Sequence, residues 1–233
     1  PRASRHVSFA PMRTTGKYQY LFAAQPCGEE SFSIERDASG AERASGRQET
    51  HAPHPMPGVI EWSAACDAAQ RVTALEVRWR VGAMSVHAKH AAGGAFDAQR
   101  WTVQLEYGGN ARTQEGDYPP RSHVVFGSPV LQSWVLRRFA LAPGAEHAFP
   151  ALVVGPPWMM VEPGQHTIRC TAAEARETCE GPRVLKRVEW TDPATPDAGE
   201  LTLWLDESDV IHELWEGAGA VVPSAELAQL TRE

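Results

Sequence analysis

The chain has 233 residues, of which 42% are hydrophobic, and its formal net charge is −7. This length suits one large β domain or two small ones, and the core is large enough to fold without metal or disulfide. The negative charge argues against a nucleic-acid surface, which needs a clustered basic face. No run approaches the roughly 18 apolar residues of a transmembrane helix. We therefore expect neither nucleic acid nor a transmembrane segment.

The N-terminal part predicts an extended segment over residues 1–16, followed by a hairpin and a polar strand near 42–50. Large apolar residues recur at one parity in both arms of the hairpin, as in strands with one buried face. Asp37 to Gly40 forms a turn between the hairpin and the polar strand. The apolar parity is carried by Tyr18, Tyr20, Phe22, Phe32 and Ile34.

The strongest pattern lies between residues 58 and 117, where apolar and polar residues alternate. Glycine-containing turns near 82, 93 and 108 separate the alternating runs. The pattern predicts an antiparallel meander with one apolar face and one charged face. The inward parity is carried by Leu75, Val77, Trp79 and Val81 in one run and by Trp101, Val103, Leu105 and Tyr107 in another.

Two helices are predicted. Ser128 and Pro129 have the character of an N-cap and a first-turn proline, so we expect a helix from there to about Phe139. The second helix is expected over 225–231, where Leu227 and Leu230 are three residues apart. Residues 149–164 contain four prolines and predict a stiff connection.

Together these elements predict a mainly β fold in a single domain, residues 1–233. We expect a curved antiparallel half-barrel or barrel of about ten strands, with one packed helix and a short C-terminal helix. The apolar side chains line the concave face. The pattern leaves open whether that face holds a cavity or a filled core.

The four cysteines are Cys27, Cys66, Cys170 and Cys179, and they lack the C-x-x-C spacing of a zinc ribbon. A Cys170–Cys179 bridge would close a loop of about ten residues, stabilise the fold by about 2–3 kcal/mol and imply an oxidising compartment. Reduced thiols are the alternative. Because the chain starts at Pro1 rather than Met, we expect a periplasmic or secreted protein if a leader was removed, and a cytoplasmic one otherwise.

Three short stretches carry a family resemblance. They are the opening hairpin (18–22 and 28–32), the run 141–144 (Leu-Ala-Pro-Gly) and the closing hairpin segment 203–207 (Leu-Trp-Leu-Asp-Glu). They resemble a family of uncharacterised bacterial proteins that groups with the LolA- and LppX-like folds. The resemblance implies a broad antiparallel half-barrel that wraps around a helix and shields an apolar groove. It implies no catalytic residues.

Histidines on the inward parity are the first candidates for chemistry. His90, His166 and His212 each lie among apolar neighbours, where a histidine is either a core residue or a general acid or base. His87 and His90 form an H-x-x-H pair, but on a strand they point to opposite faces, so a shared metal is not expected. His51 and His54, in a loop, are interpreted as solvated. We predict no metal site and no cofactor.

Other candidates favour structural interpretations. Glu115 and Asp117 share a face of a polar strand that we interpret as a solvated edge. Asp206 to Asp209 is interpreted as the turn of a hairpin. No G-x-S-x-G elbow, dinucleotide fingerprint or P-loop is present.

Aromatic and methionine residues supply the candidate ligand-binding set. The chain has eight tryptophans, and large aromatic groups on an inner face favour an apolar ligand. The candidates are Trp79, Trp101, Tyr107, Trp158, Met159 and Met160. The predicted function is binding of an apolar or lipid-like ligand. The alternative is a hydrolase, lyase or isomerase that acts on a hydrophobic small molecule, with His90, His166 and His212 as acid and base. A third interpretation is a subunit whose sheet edge pairs with a partner.

Overall fold

Fifteen strands and one helix make up the described part of the protein. The computed structural model describes residues 11–54, 57–82, 84–93, 100–107, 110–117, 122–155, 160–192, 200–217 and 224–233. The strands are β1 (Met12–Phe22), β2 (Gln25–Arg36), β3 (Glu42–Thr50), β4 (Gly58–Cys66), β5 (Val72–Val81), β6 (Met84–Gly93), β7 (Arg100–Tyr107), β8 (Asn110–Asp117), β9 (His123–Phe126), β10 (Glu146–Gly155), β11 (Met160–Arg176), β12 (Arg183–Thr191), β13 (Glu200–Leu205), β14 (Ile211–Glu216) and β15 (Ala225–Arg232). The helix, α1, spans Pro129–Leu136.

All fifteen strands belong to one sheet, in the order β8 to β1, then β15 down to β9. Neighbouring strands are antiparallel except β9 and β10, which are parallel. The meander predicted between residues 58 and 117 is confirmed by the successive pairs from β4 to β8. The prediction of a mainly β fold with a large curved antiparallel sheet and one packed helix is therefore confirmed, but the described residues form fifteen strands rather than about ten. Strand β1 begins at Met12, inside the segment 1–16 that the sequence predicts as extended.

Aspartates fix three of the hairpin turns. One carboxylate oxygen of Asp37, Asp67 and Asp206 accepts hydrogen bonds from the amides two and four residues later, at 2.8–3.2 Å. Such short side chains stabilise turns because they replace a backbone acceptor. These turns join β2 to β3, β4 to β5 and β13 to β14. The predicted turns after Ile34 and Leu205 are thus confirmed.

Helix α1 fills the concave face of the sheet. All eight of its residues are buried, and Trp134 has no exposed surface. The helix belongs to one apolar cluster together with inward side chains from strands on both halves of the sheet, such as Val77 and Ile168. Such a cluster is the chief stabilising contribution in a domain of this size. In the described residues, the interior near α1 is mainly a packed core.

The predicted C-terminal helix is wrong, because residues 225–232 form strand β15. The spacing of Leu227 and Leu230 would place them on opposite faces of a regular strand. The β1–β15 register shifts between Lys17 and Tyr18, so Ala228 is an extra residue on its strand. This bulge lets both leucines contribute to the core.

The stiff connection predicted over 149–164 is also wrong, since most of it lies in β10 and β11. Pro150 is tolerated because the pairing of β10 with β9 begins one residue later, at Ala151. Pro163 lies before the residues of β11 that pair with β12, which start at Thr167. Both prolines therefore occupy positions with a single neighbouring strand.

Two further expectations are settled by the described residues. All four cysteines are free thiols; Cys179 is exposed and the other three are buried. Phe22 does not follow the inward parity of Tyr18 and Tyr20: it is the last residue of β1, beside the turn to β2, and 44% of its surface is exposed. In the part of the chain that the structure describes, no helix has the length and apolarity that a membrane crossing requires.

Candidate functional site

A cavity of about 330 Å³ lies beside α1, between strands β1 to β3, the turn that joins β13 to β14, and β15. One part of its wall is apolar and comes from three strands, the helix and the turn: Tyr18, Phe32, Ile34, Val130, Val210 and Leu230. The other part is charged and consists of Arg36, Glu42, Arg137, Asp209 and Arg232. An apolar wall with a few convergent polar groups is typical of small-molecule sites.

The apolar wall depends on a glycine. A Cβ at Gly16 would lie 2.5 Å from the ring of Phe32, so only glycine leaves room for that ring on β1. Phe32 in turn stacks on Tyr18, with ring centroids 5.4 Å apart. The Tyr18 hydroxyl donates to the carbonyl oxygen of Ile211 at 2.8 Å. These contacts fix both rings at the cavity wall.

Glu42 is the centre of the charged wall. Its carboxylate is 1% exposed and accepts hydrogen bonds from the indole N–H of Trp134 at 2.5 Å and from Nη1 of Arg137 at 2.9 and 3.0 Å. Arg36 also binds this carboxylate, through Nε at 2.6 Å and through Nη2. A buried carboxylate is tolerated where cations and donors compensate it. Glu42 therefore ties β3 to the C-terminal end of α1.

Arg137 reaches Glu42 because it is the C-cap residue of α1, and its side chain is 14% exposed. Its Nη1 atom donates hydrogen bonds to Glu42 and, at 3.5 Å, to Gln70. The Nε atom is buried, and among the described residues it has no hydrogen-bond partner. This Nε is thus shielded from the cavity, and Arg137 acts chiefly through its ion pair with Glu42.

A second charged cluster surrounds Asp206, which pairs with the cavity residue Arg232. The second oxygen of Asp206 lies 3.4 Å from Nε2 of His212 and accepts a hydrogen bond from Arg232 at 3.0 Å. Glu180 lies 3.6 Å from the same guanidinium. Burial alone would raise the pKa of Asp206, but the hydrogen bonds from His212 and the amides of the turn outweigh it and lower the pKa to about 2.

The same cluster has donor atoms of the kind that hold metal ions. Potential ligand atoms of Glu180, Asp206 and His212 all lie within 4.8 Å of one another. Arg232 already contacts both carboxylates and supplies the positive charge that an ion would bring. We therefore interpret the cluster as an ion-pair network that closes the sheet at β15.

A third polar cluster lies at the other end of α1. Glu30 has no exposed surface and accepts hydrogen bonds from the hydroxyl of Tyr20 at 2.6 Å, the indole of Trp62 at 3.1 Å and the hydroxyl of Ser128 at 2.6 Å. Burial raises the pKa of Glu30, and these hydrogen bonds oppose the rise. Gly46 makes the contact with Trp62 possible, because a Cβ there would lie 2.5 Å from the indole ring.

Ser128 occupies the N-cap position, as the sequence predicts, but its side chain makes no capping hydrogen bond. The hydroxyl donates to Glu30 instead. The interpretation of this side chain as a helix cap is therefore wrong, because a buried carboxylate lies nearby and is the stronger acceptor.

The three candidate histidines lie on three different strands, and all are at most 5% exposed. His90 on β6 lies opposite Leu75. His166 on β11 accepts a hydrogen bond from the indole of Trp190 at 2.8 Å, and its Nε2 lies 3.8 Å from Asp192. His212 contacts Asp206 as described above. Each candidate thus has its own set of partners, and a joint acid–base role stays a prediction.

His87, which the sequence does not favour as a site residue, lies on the opposite face of β6 from His90, as predicted. Its Nε2 is 2.6 Å from Glu76. His51 is exposed and His54 is half-buried. Glu115 and Asp117 lie on β8, whose position at the end of the strand order confirms the expected polar edge strand.

Acidification is expected to lower the free energy of unfolding, because His90 is buried. Burial lowers its pKa to about 4, against an unfolded value of about 6.5, so the unfolded chain binds a proton first. The stability that His90 confers is complete above about pH 6.5 and falls by about 3 kcal/mol as the pH drops to about 4. Urea unfolding between pH 7.5 and 4 should therefore show a shallower decline for His90→Gln than for the original chain. Equal slopes for both proteins would contradict this burial effect.

Of the aromatic candidates, Trp79 is the one whose side chain the structure describes. It is 6% exposed and belongs to the core. Trp101 and Tyr107 lie in β7 and Met160 begins β11, but their side chains are outside the described part. Trp158 and Met159 lie outside the described residues altogether. Their roles in ligand binding stay predictions.

Four charged residues were not predicted from the sequence: Glu42, Arg137 and Arg232 at the cavity, and Glu30 at the other end of α1. A signal was available for Glu30 and Glu42. Glu30 has the inward parity of Phe32 and Ile34, and Glu42 has that of Ala44. A charged residue at an inward position of a half-buried strand is expected only where a partner compensates it.

Comparison with known proteins shows the fold. No model of a protein family matches the chain, and no curated protein matches it. Two solved structures are similar. One is a beta-barrel-like protein of the domain of unknown function DUF1849 from Brucella abortus, with a TM-score of 0.61, 10% identity, and coverage of 97% of this chain and 99% of that one. The other is a DUF1089 family protein from Pseudomonas aeruginosa, with a TM-score of 0.54, 15% identity, and coverage of 86% and 94%. The chain therefore has a beta-barrel-like fold that it shares with proteins of uncharacterised families.

Proposed function

We propose that the protein binds an apolar, lipid-like small molecule in the cavity beside α1. The supporting observation is the wall itself, where Phe32, Ile34, Val130 and Leu230 face one space next to a charged rim. Apolar surface that a ligand removes from water contributes about 25 cal/mol per Å². The similarity to barrel-like proteins is consistent with a ligand site inside a curved sheet. The grouping with LolA- and LppX-like folds stays a prediction of the sequence.

The volume of the cavity restricts the ligand to a small one. The cavity has a volume of about 330 Å³. This is near the lower limit of about 300 Å³ for ligand pockets. A single short chain fits such a space, whereas a diacyl lipid does not.

Filling the cavity is expected to abolish binding. Leu230→Trp places a larger side chain at the apolar wall, so binding of 1-decanol, measured by titration calorimetry, should be lost. Val184→Trp is the matched control, because it adds the same side chain at a position on β12 that is 67% exposed. Both variants should retain a cooperative thermal transition. Unchanged 1-decanol binding by folded Leu230→Trp would place the site elsewhere, and absence of binding by the original chain would remove the proposal.

The two alternatives from the sequence have less support. The residues that line this cavity in the described part of the chain include none of the candidate histidines. An enzyme that uses His90, His166 and His212 would therefore need a different space. Pairing through a sheet edge would involve β8, which is exposed and polar, or β9, whose four residues are buried.

A further inference from the structure

We propose that the ligand of the cavity beside α1 is uncharged and carries a hydroxyl group, which Thr14 binds. The ligand class is thus a neutral aliphatic alcohol rather than a fatty acid or a cationic amphiphile. This inference rests on the proposed function, because it specifies the chemistry of the ligand at the same site.

Three of the charged residues in the wall are engaged with one another. The buried carboxylate of Glu42 binds the guanidiniums of both Arg36 and Arg137. A ligand carboxylate at either guanidinium would therefore compete with Glu42. A ligand cation would compete with two arginines for a single carboxylate. Neither sign of charge on a ligand is favoured at this part of the wall.

The other two charged residues of the wall also have partners of opposite charge. An oxygen of Asp209 lies 2.5 Å from Nζ of Lys186. The guanidinium of Arg232 lies 3.0 Å from Asp206 and 3.6 Å from Glu180. A charged ligand would have to leave water and then either displace one of these partners or stay without a counter-charge, and both are unfavourable. An uncharged ligand needs neither.

Thr14 supplies a neutral hydrogen-bonding group in the same wall. It lines the cavity, is 5% exposed, and its hydroxyl forms no hydrogen bond with the residues that the structure describes. The other buried hydroxyl of the wall, on Ser133, already donates to the carbonyl oxygen of Val130 at 2.7 Å. A buried polar group without a partner is unfavourable, so a ligand group that pairs with Thr14 gains affinity.

The Thr14 hydroxyl is within reach of a ligand. The shielded polar atoms that lack a partner in the described part of the chain include Nε of Arg137 but not the oxygen of Thr14. Because this oxygen has no hydrogen bond, its absence from that set means that it is accessible, and the cavity is the space that Thr14 lines. A hydroxyl both donates and accepts, as does the hydroxyl of an alcohol.

The neighbours of Thr14 fix where the aliphatic chain lies. Thr14 pairs with Ile34 on one side and with Arg232 on the other, so it stands where the apolar and charged parts of the wall meet. Two residues along β1, on the same face, the neighbouring strands contribute Phe32 and Leu230, which also line the cavity. A chain whose hydroxyl lies at Thr14 therefore passes directly onto apolar side chains.

Calorimetric titration at neutral pH with three probes of equal chain length tests the proposal: 1-decanol, decanoate and decyltrimethylammonium. 1-Decanol should bind about tenfold more tightly than either charged probe, since neither charge finds a free partner. Thr14→Val keeps the shape of the side chain without its hydroxyl and should weaken 1-decanol binding about fivefold to tenfold. Thr15→Val is the matched control, because Thr15 lies on the opposite face of β1, and it should leave the affinity unchanged.

The outcomes separate the two proposals. If none of the three probes binds, the proposed function itself fails. If 1-decanol binds and a charged probe binds as tightly, the function stands and the neutral ligand is overturned. If folded Thr14→Val binds 1-decanol as tightly as the original chain does, Thr14 is not the partner of the hydroxyl. Should Thr14→Val not fold, Thr14→Ser and Thr14→Ala replace it, since they differ only in the hydroxyl; equal affinities of these two for 1-decanol would then overturn the assignment.

Discussion

Replacement of Glu30 by alanine is expected to lower the free energy of unfolding by about 3–5 kcal/mol, one of the largest effects of any substitution in the chain. The change removes the acceptor of Tyr20, Trp62 and Ser128 at once. Each is then a buried donor without its acceptor, and together they connect β1, β4 and the start of α1. Denaturant unfolding with fluorescence detection measures the loss.

Two variants serve as controls for this prediction. Glu30→Gln keeps an acceptor oxygen and should cost less, because burial already raises the pKa of this carboxyl and favours its neutral form. Glu29→Ala removes the neighbouring carboxylate, which faces solvent and lies 3.4 Å from Lys17, so its effect should be small. If Glu30→Ala were no more destabilising than Glu29→Ala, Glu30 would not hold these elements together.

Replacement of Glu42 by alanine is the second large effect, also about 3–5 kcal/mol. The loss arises because the mostly buried guanidinium of Arg137 and the half-buried one of Arg36 lose this carboxylate, and Trp134 loses its acceptor. The transition should lose cooperativity at the C-terminal end of α1, which hydrogen exchange of the Arg137 amide reports.

The matched control for Glu42 is Glu49, seven residues later on β3. Glu49 pairs with Arg47 on the exposed face, with 58% of its side chain accessible, so Glu49→Ala should have little effect on stability. Glu42→Gln distinguishes charge from hydrogen bonding, since it keeps an acceptor but no negative charge. Equal stability of Glu42→Ala and Glu49→Ala would show that the cluster contributes nothing to the fold.

The sequence predicted the strands well where alternation is strict, as from Leu75 to Val81 on β5. It failed where a local irregularity changes the parity. The bulge at Ala228 gave β15 a leucine spacing that is typical of a helix, and Phe22 is exposed because it ends β1 beside the turn to β2. Such irregularities depend on the partner strand, so one strand alone does not reveal them.

The candidate site was harder to predict than the fold. Parity placed Glu30 and Glu42 inward, but their partners Ser128, Trp134 and Arg137 lie about a hundred residues away along the chain. These contacts arise only because α1 packs inside the sheet. Tertiary packing, and not a sequence motif, assembles the cavity wall.

The pairing of β1 with β15 has a consequence for the order of folding. Strands β1 to β8 form by successive hairpins, and so do β10 to β14, which makes both sets local in sequence. The two sets are joined through β15, where Thr14 lies opposite Arg232 and the amides of Arg13 and Glu233 donate to each other's carbonyl oxygens. Closure of so long a loop is entropically unfavourable and slow. On a ribosome, β1 therefore gains its second neighbour only after residues 225–232 have been synthesised.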